Sequence, residues 1–251
     1  METKDFYVIR HGYDDHSYID INNDPPLIEK GILMARDMSR DMVDILKKRS
    51  VDSGVSLRTS SKKRASETAS IIADSLDRAK IDYEFVVDPN LRELQQGKVI
   101  NFNNLSHEQR VRSLEVAWKA FDDKRVAGDA DYHFGSPAIN ECGEPVLEDF
   151  METPYGESQN EFSERMRVAL LDILKITDAG RVPIAVTHRG GIREIVNTTY
   201  ALNNGLPVSQ SRVLEMSGLK YCEIINIEVA DTQLCLVALK NLLENTAEIK
   251  Q

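Results

Sequence analysis

The stretch Phe6–Gly12, FYVIRHG, decides how the rest of the chain is read. Phe6 to Ile9 form a short continuous apolar run of the kind buried on both faces of a sheet. The run stops at Arg10, His11 and Gly12. Either this polar group merely surfaces at a strand end, or the strand aims a nucleophile into a cleft. A second run ends the same way: VPIAVTH, Val182–His188, continues directly into RGGIREIV. In open parallel sheets ligands bind beyond the carboxyl ends of the strands, so two central strands of this kind would bring His11 and His188 to one crevice.

Between these runs strands and helices alternate. In LIEKGILMARDMSRDMVDILKKR, residues Ile28, Ile32, Ala35, Met38, Met42 and Ile45 recur at helical spacing. Pro25 and Pro26 mark the helix start, and Lys47, Lys48 and Arg49 suit its C-terminal end. GVSLRT reads as a strand. A helix follows from about Ser61, with Ala65, Thr68, Ala69, Ile72 and Leu76 on one face, then a third strand, Tyr83 to Val87. The alternation predicts a three-layer α/β/α fold with a mostly parallel central sheet. The runs YCEIINIEVA and QLCLVALK, split by Asp231 and Thr232, predict an antiparallel hairpin at one sheet edge.

The pattern breaks over residues 97–156, where no strand–helix alternation is visible and one helix is expected around residues 105–124. A connection this long is read as an inserted cap within a single domain spanning residues 1–251. Its Trp118, Phe121, Tyr132, His133 and Phe134 form the cap's own small core or cover a substrate, and its acidic run Glu141, Glu144, Glu148, Asp149 and Glu152 faces water.

Composition limits the function. Net charge is −10, from 31 Lys and Arg against 41 Asp and Glu, which disfavours nucleic acid and anionic membranes as partners. No apolar stretch approaches the roughly 20 residues that span a bilayer, and the N-terminus lacks the apolar core of a signal peptide. Cys142, Cys222 and Cys235 are too few and scattered for a disulfide framework and form no zinc-type pair. Cys222 and Cys235, in apolar runs, are expected to be buried thiols, and a reducing cytoplasm is the expected compartment.

Glycine beside each terminal histidine, Gly12 after His11 and Gly190 after Arg189, would let backbone amides approach an anion. RTSSKKRASETA carries Arg64 into the first turn of a helix, an unfavourable place for a cation unless an anion sits there. As a lone surface residue, Arg64 would need no explanation.

Taken together, RHG after the first strand, SSKKRASETA after the second, LRELQQG, GES and THRGGIR resemble the histidine phosphatase superfamily, also called the phosphoglycerate mutase-like family. The resemblance runs from Phe6 to the C-terminal runs, outside the insertion. It implies His11 as the nucleophile that becomes phosphohistidine. Arg10, Arg64 and His188 would complete a cationic phosphate pocket, and Glu93 in LRELQQG would protonate the leaving oxygen. Neutral imidazole can attack phosphorus in line, and fixed arginines suit the charge spread over the equatorial oxygens. The resemblance implies no metal or other cofactor, and a small phosphomonoester as the partner.

The departures bear on which reaction is run. Tyr13 and Ser17 stand where many members have glutamate or glutamine, and where the mutases have asparagine. LQQG replaces the basic, tyrosine-containing stretch that follows the mutases' acid. These differences favour hydrolysis over phosphoglycerate mutation. Arg189, where most members have glycine, either adds an anion contact or turns into solvent. Tyr13 borders the same pocket, and Arg193 is expected in a structural ion pair. In GES, Gly156–Ser158, helix capping alone accounts for Ser158. Three functions follow from these residues: a phosphomonoesterase, a phosphomutase or phosphotransferase on the same nucleophile, and a non-catalytic anion-binding protein. The edge hairpin could support a homodimer.

Overall fold

A computed structural model describes residues 4–14, 24–49, 54–94, 106, 109, 116, 119, 123, 135–139, 145–152, 157–205, 219–233 and 235–240. The chain divides into two compact units, one of Met1–Asp15, Pro25–Glu93 and Glu164–Gln251, the other of His16–Asp24 and Leu94–Ser163.

The first unit is built on a five-stranded sheet of β1 (Lys4–Arg10), β2 (Val55–Thr59), β3 (Tyr83–Val87), β6 (Val182–Thr187) and β7 (Ile224–Val229), in the order β3-β2-β6-β1-β7. Pairing is parallel throughout except for β7, which runs antiparallel along β1. The three central strands, β1, β2 and β6, bury both faces, as their continuous apolar runs require, while the edge strands β3 and β7 keep exposed positions. Tyr7, Ile9, Val55, Leu57, Ile184 and Val186 face a core filled by Met38, Met42 and Leu46 of α1 (Glu29–Lys48) and by Ala69, Ile72 and Leu76 of α2 (Lys63–Ala79). Phe6 and Val8, fully buried, point to the other face, where α4 (Arg189–Asn203) lies against β1 and β7. Helix α3 (Gln159–Asp178) joins α4 through Met166, whose side chain lies against Gly191. The three-layer α/β/α expectation therefore holds.

Register then positions the loops. Arg10 pairs with Thr187 across β1 and β6, so the next residues on each strand, His11 and His188, are neighbours. The chain leaves β1 toward α1 on one face and β6 toward α4 on the other, which opens a crevice between these two strand ends.

The hairpin expectation is corrected. The first of the two C-terminal runs supplies β7, but Thr232, Gln233 and residues 235–240 are helical. Thr232, Cys235 and Leu239 are buried while Val237 is exposed, a helical stripe that the short apolar run conceals. The Cys235 N–H donates to the Asp231 carbonyl oxygen, closing the first turn.

The second unit contains an antiparallel pair, β4 (Gly135–Ile139) and β5 (Pro145–Glu152), within a segment read from sequence as free of strands. Pro137 and the acidic residues of β5 mask any alternation, and the register shifts between Pro137 and Ala138. Residues 109, 116, 119 and 123 are helical, in line with the helix expected there. At the start of α3, Ser158 Oγ accepts from the Glu161 N–H at 3.2 Å while Glu161 Oε2 accepts from the Ser158 N–H at 2.8 Å. This reciprocal cap accounts for Ser158 without a ligand. Gly156, Ser17, Cys142, Trp118, Phe121, Tyr132, His133, Phe134, Glu141 and Glu144 lie outside the described residues. Among the described residues no helix is long and apolar enough to cross a membrane.

Candidate active site

His11 follows β1 and is 4% exposed. Its N–H donates to the Thr187 carbonyl oxygen, extending the β1–β6 ladder one residue past the strand. The ring Nδ1 lies 2.7 Å from the Gly12 carbonyl oxygen. A carbonyl can only accept, so Nδ1 carries the proton and Nε2 holds the lone pair. Arg64 Nε donates to that Nε2 at 3.1 Å.

His188 caps the N-terminus of α4 and is fully buried, its ring 4.9 Å from that of His11. Arg64 Nη2 lies 3.2 Å from its Nδ1, and its Nε2 lies 2.9 Å from Ser60 Oγ. Guanidinium only donates, which assigns the proton to Nε2 and makes Ser60 its acceptor. Burial holds the His188 imidazole well below its usual range, reinforced by Arg64, His11, Lys62 and Arg10. His188 is thus neutral in this environment. A negative charge brought into the pocket would favour its protonated form.

Arg64 lies in the first turn of α2, which carries no acidic residue. Its counter-charge comes from the loop after His11: Asp14 Oδ2 is 3.5 Å from Arg64 Nε. Arg10, at the end of β1, donates from Nη1 to the Leu219 carbonyl oxygen at 2.7 Å, with its guanidinium carbon 3.7 Å above the Tyr221 ring. Burial lowers the Arg10 pKa, while Tyr221 and Glu93 act in the opposite direction. Glu93 follows the short 3₁₀ turn Pro89–Leu91 and brings Oε2 to 3.7 Å from His188 Nδ1. Its loop is clamped from α3: Arg165 Nη1 donates to the carbonyl oxygens of Asn90, at 2.7 Å, and Arg92, at 2.9 Å, and Nη2 reaches that of Glu93 at 3.5 Å.

The structure therefore brings together Arg10, His11, Arg64, Glu93 and His188. Tyr13 stands at the border, edge-on to Tyr221 with ring centroids 5.0 Å apart. Gly12 has a different role from the one expected. Its N–H donates to Thr68 Oγ1 at 2.9 Å instead of being offered to an anion. A Cβ there would lie 2.8 Å from the Gly31 carbonyl oxygen, so the glycine permits a close crossing of α1. Arg189 is exposed, and its charge bears on Arg10 by lowering that residue's pKa. Arg193 is buried in α4.

Four participants escaped the sequence reading: Ser60, Asp14, Arg165 and Tyr221. Ser60 was visible as a strand-to-helix serine but without a role. Tyr221 is 5.7 Å from the His11 ring as well as beneath Arg10, and burial pushes its hydroxyl up to about 12. The adjacent Cys222 adopts a left-handed φ of 58°, which turns the chain so that its N–H reaches the Arg10 carbonyl oxygen. Burial pushes the Cys222 thiol up to about 12, and Cys222 and Cys235 are both free.

The chain is an α/β protein with a basic crevice at the carboxyl ends of its parallel strands, where a histidine lone pair lies beside an arginine. Residues 6–133 match the model of the histidine phosphatase superfamily (branch 1), and the chain belongs to that family. A relative named "Probable phosphoglycerate mutase GpmB", from Enterobacter sp. (strain 638), is 27% identical over 230 residues, 90% of this chain and 85% of the relative. Among solved structures, a mycobacterial glucosyl-3-phosphoglycerate phosphatase superposes with a TM-score of 0.56 at 20% identity, covering 89% of each chain. The phosphoglycerate mutase of Bacillus anthracis str. Sterne superposes with a TM-score of 0.53 at 19% identity, covering 95% of this chain and 97% of the other. These likenesses establish a shared fold.

Proposed function

We propose that this protein is a metal-independent phosphomonoesterase that hydrolyses a small phosphorylated metabolite through a phosphohistidine on His11. The observation that carries the reading is the tautomer of His11. With Nδ1–H bonded to the Gly12 carbonyl oxygen, the Nε2 lone pair faces the cationic pocket. In the first half-reaction Nε2 attacks phosphorus, the P–O ester bond breaks, and Glu93 gives its proton to the leaving oxygen. In the second, Glu93 takes a proton from water, the hydroxyl attacks phosphorus, and the P–N bond breaks to release phosphate. Arg10, Arg64 and a protonated His188 hold the equatorial oxygens. Residues 97–156 are proposed as an inserted cap that selects the alcohol, in a cytoplasmic enzyme.

Phosphoryl transfer to a second hydroxyl is the alternative, favoured by the name of the GpmB relatives. The deciding experiment is aryl phosphate hydrolysis in the presence of chelator, for wild type and His11→Ala. Stoichiometric inorganic phosphate that persists in chelator and disappears with His11 supports the hydrolase. Transfer to an added acceptor alcohol without phosphate release supports the transferase. Loss of activity in chelator, restored by metal, would reject the metal-independent mechanism.

A further inference from the structure

Asp14 has no part in the chemistry just described, yet it is 3% exposed and lies against Arg64 of the cationic pocket. It lies three residues beyond the nucleophile, held in place by an isolated antiparallel bridge to Leu27. Its Oδ2 is 3.5 Å from Arg64 Nε, the same nitrogen that donates to His11. Its charge also acts on Arg10, raising that residue's pKa, and on the Tyr221 hydroxyl. A carboxylate so placed supplies the counter-charge that a buried guanidinium needs. A phosphoryl group drawn to Arg10 and Arg64 meets the same carboxylate as a like charge.

We propose that Asp14 is a positioning residue that acts as an internal counter-anion, competing with the phosphoryl group for Arg64 and weakening the grip of the pocket on inorganic phosphate. This rests on the phosphate-pocket reading above. Its consequence for turnover is that the second product, a free phosphate ion, leaves a site whose cations would otherwise retain it. Like-charge proximity in a desolvated site is strong enough to change anion affinity by an order of magnitude.

The test is calorimetric titration of the full chain with inorganic phosphate, paired with phosphate inhibition of aryl phosphate hydrolysis, for wild type, Asp14→Asn, Asp14→Ser and Asp14→Glu. Phosphate should bind roughly tenfold more tightly to the two neutral variants. Asp14→Glu should restore weaker binding. A residue that merely braces Arg64 gives the opposite sign, since its loss disorders the pocket. Unchanged or weaker phosphate binding in folded Asp14→Asn or Asp14→Ser would therefore overturn the proposal while leaving the phosphatase reading intact. Failure of wild type and of both neutral variants to bind phosphate would overturn both.

Discussion

Arg64 bridges the two histidines of the site, donating from Nε to His11 Nε2 at 3.1 Å and lying with Nη2 3.2 Å from His188 Nδ1. One planar guanidinium thereby fixes the tautomers of both rings. Lysine offers a point charge without that fork and cannot span the two nitrogens in the same way. Arg64→Lys and Arg64→Met should each lower kcat for an aryl phosphate by about 10²–10³. A loss below tenfold for Arg64→Lys would mean that charge alone, without the bridging geometry, sufficed.

The depressed pKa of His188 gives a signed pH dependence. The unfolded chain binds a proton at this position near pH 6.5, whereas the folded chain keeps the ring neutral. Its contribution to stability is therefore fully present above about pH 6.5 and is lost as the pH falls below that value, at up to about 1.4 kcal/mol per pH unit. Denaturant unfolding between pH 5 and 8 should show this slope in wild type and a shallower one in His188→Gln. A phosphate dianion should reverse the preference, so that binding near pH 8 takes up a proton, read by calorimetry in buffers of different ionisation enthalpy.

Arg165 acts on the chemistry through Glu93. Its bonds to the carbonyl oxygens of Asn90 and Arg92 fix the loop that carries the acid. Arg165→Gln should slow hydrolysis of alkyl phosphates, whose poor leaving groups need a proton, by roughly tenfold or more. Aryl phosphates, with stable leaving groups, should be affected much less. Equal losses on both substrate types would point to general damage to the fold.

Gly31 shapes the loop from the opposite side. A Cβ at this position would lie 2.0 Å from the Tyr13 carbonyl oxygen and 2.8 Å from the Tyr13 nitrogen, backbone atoms that cannot rotate away. Gly31→Ala should cost about 1–3 kcal/mol of stability by overpacking and displace the loop that sets His11. Unfolding midpoints and kcat measured together check both effects.

The sheet and the positions of the two histidines were legible because each rests on a strand that must be buried on both faces. Continuous apolar runs betray such strands, and the terminal residue of each inherits its place from the register. The three residues at the strand ends and Arg64 in the first turn of α2 could therefore be picked out. Tyr221 and Asp14 could not, because Tyr221 lies 211 residues from Arg10 in sequence and Asp14 lies 50 residues from Arg64. Their contacts follow only after β7 docks against β1 and α2 docks beneath the first loop. The β4–β5 pair hid behind proline and acidic residues. The helix at 235–240 hid because eight residues are too short to separate a period of two from one of 3.6.

The phosphohistidine on His11 is tested by quenching the enzyme during turnover of a phosphomonoester and mapping the modified residue by mass spectrometry. An acid-labile, alkali-stable phosphoryl group should be found on His11 and be absent from His11→Ala. Sustained turnover in His11→Ala, or a phosphoryl group on another residue with none on His11, would contradict it.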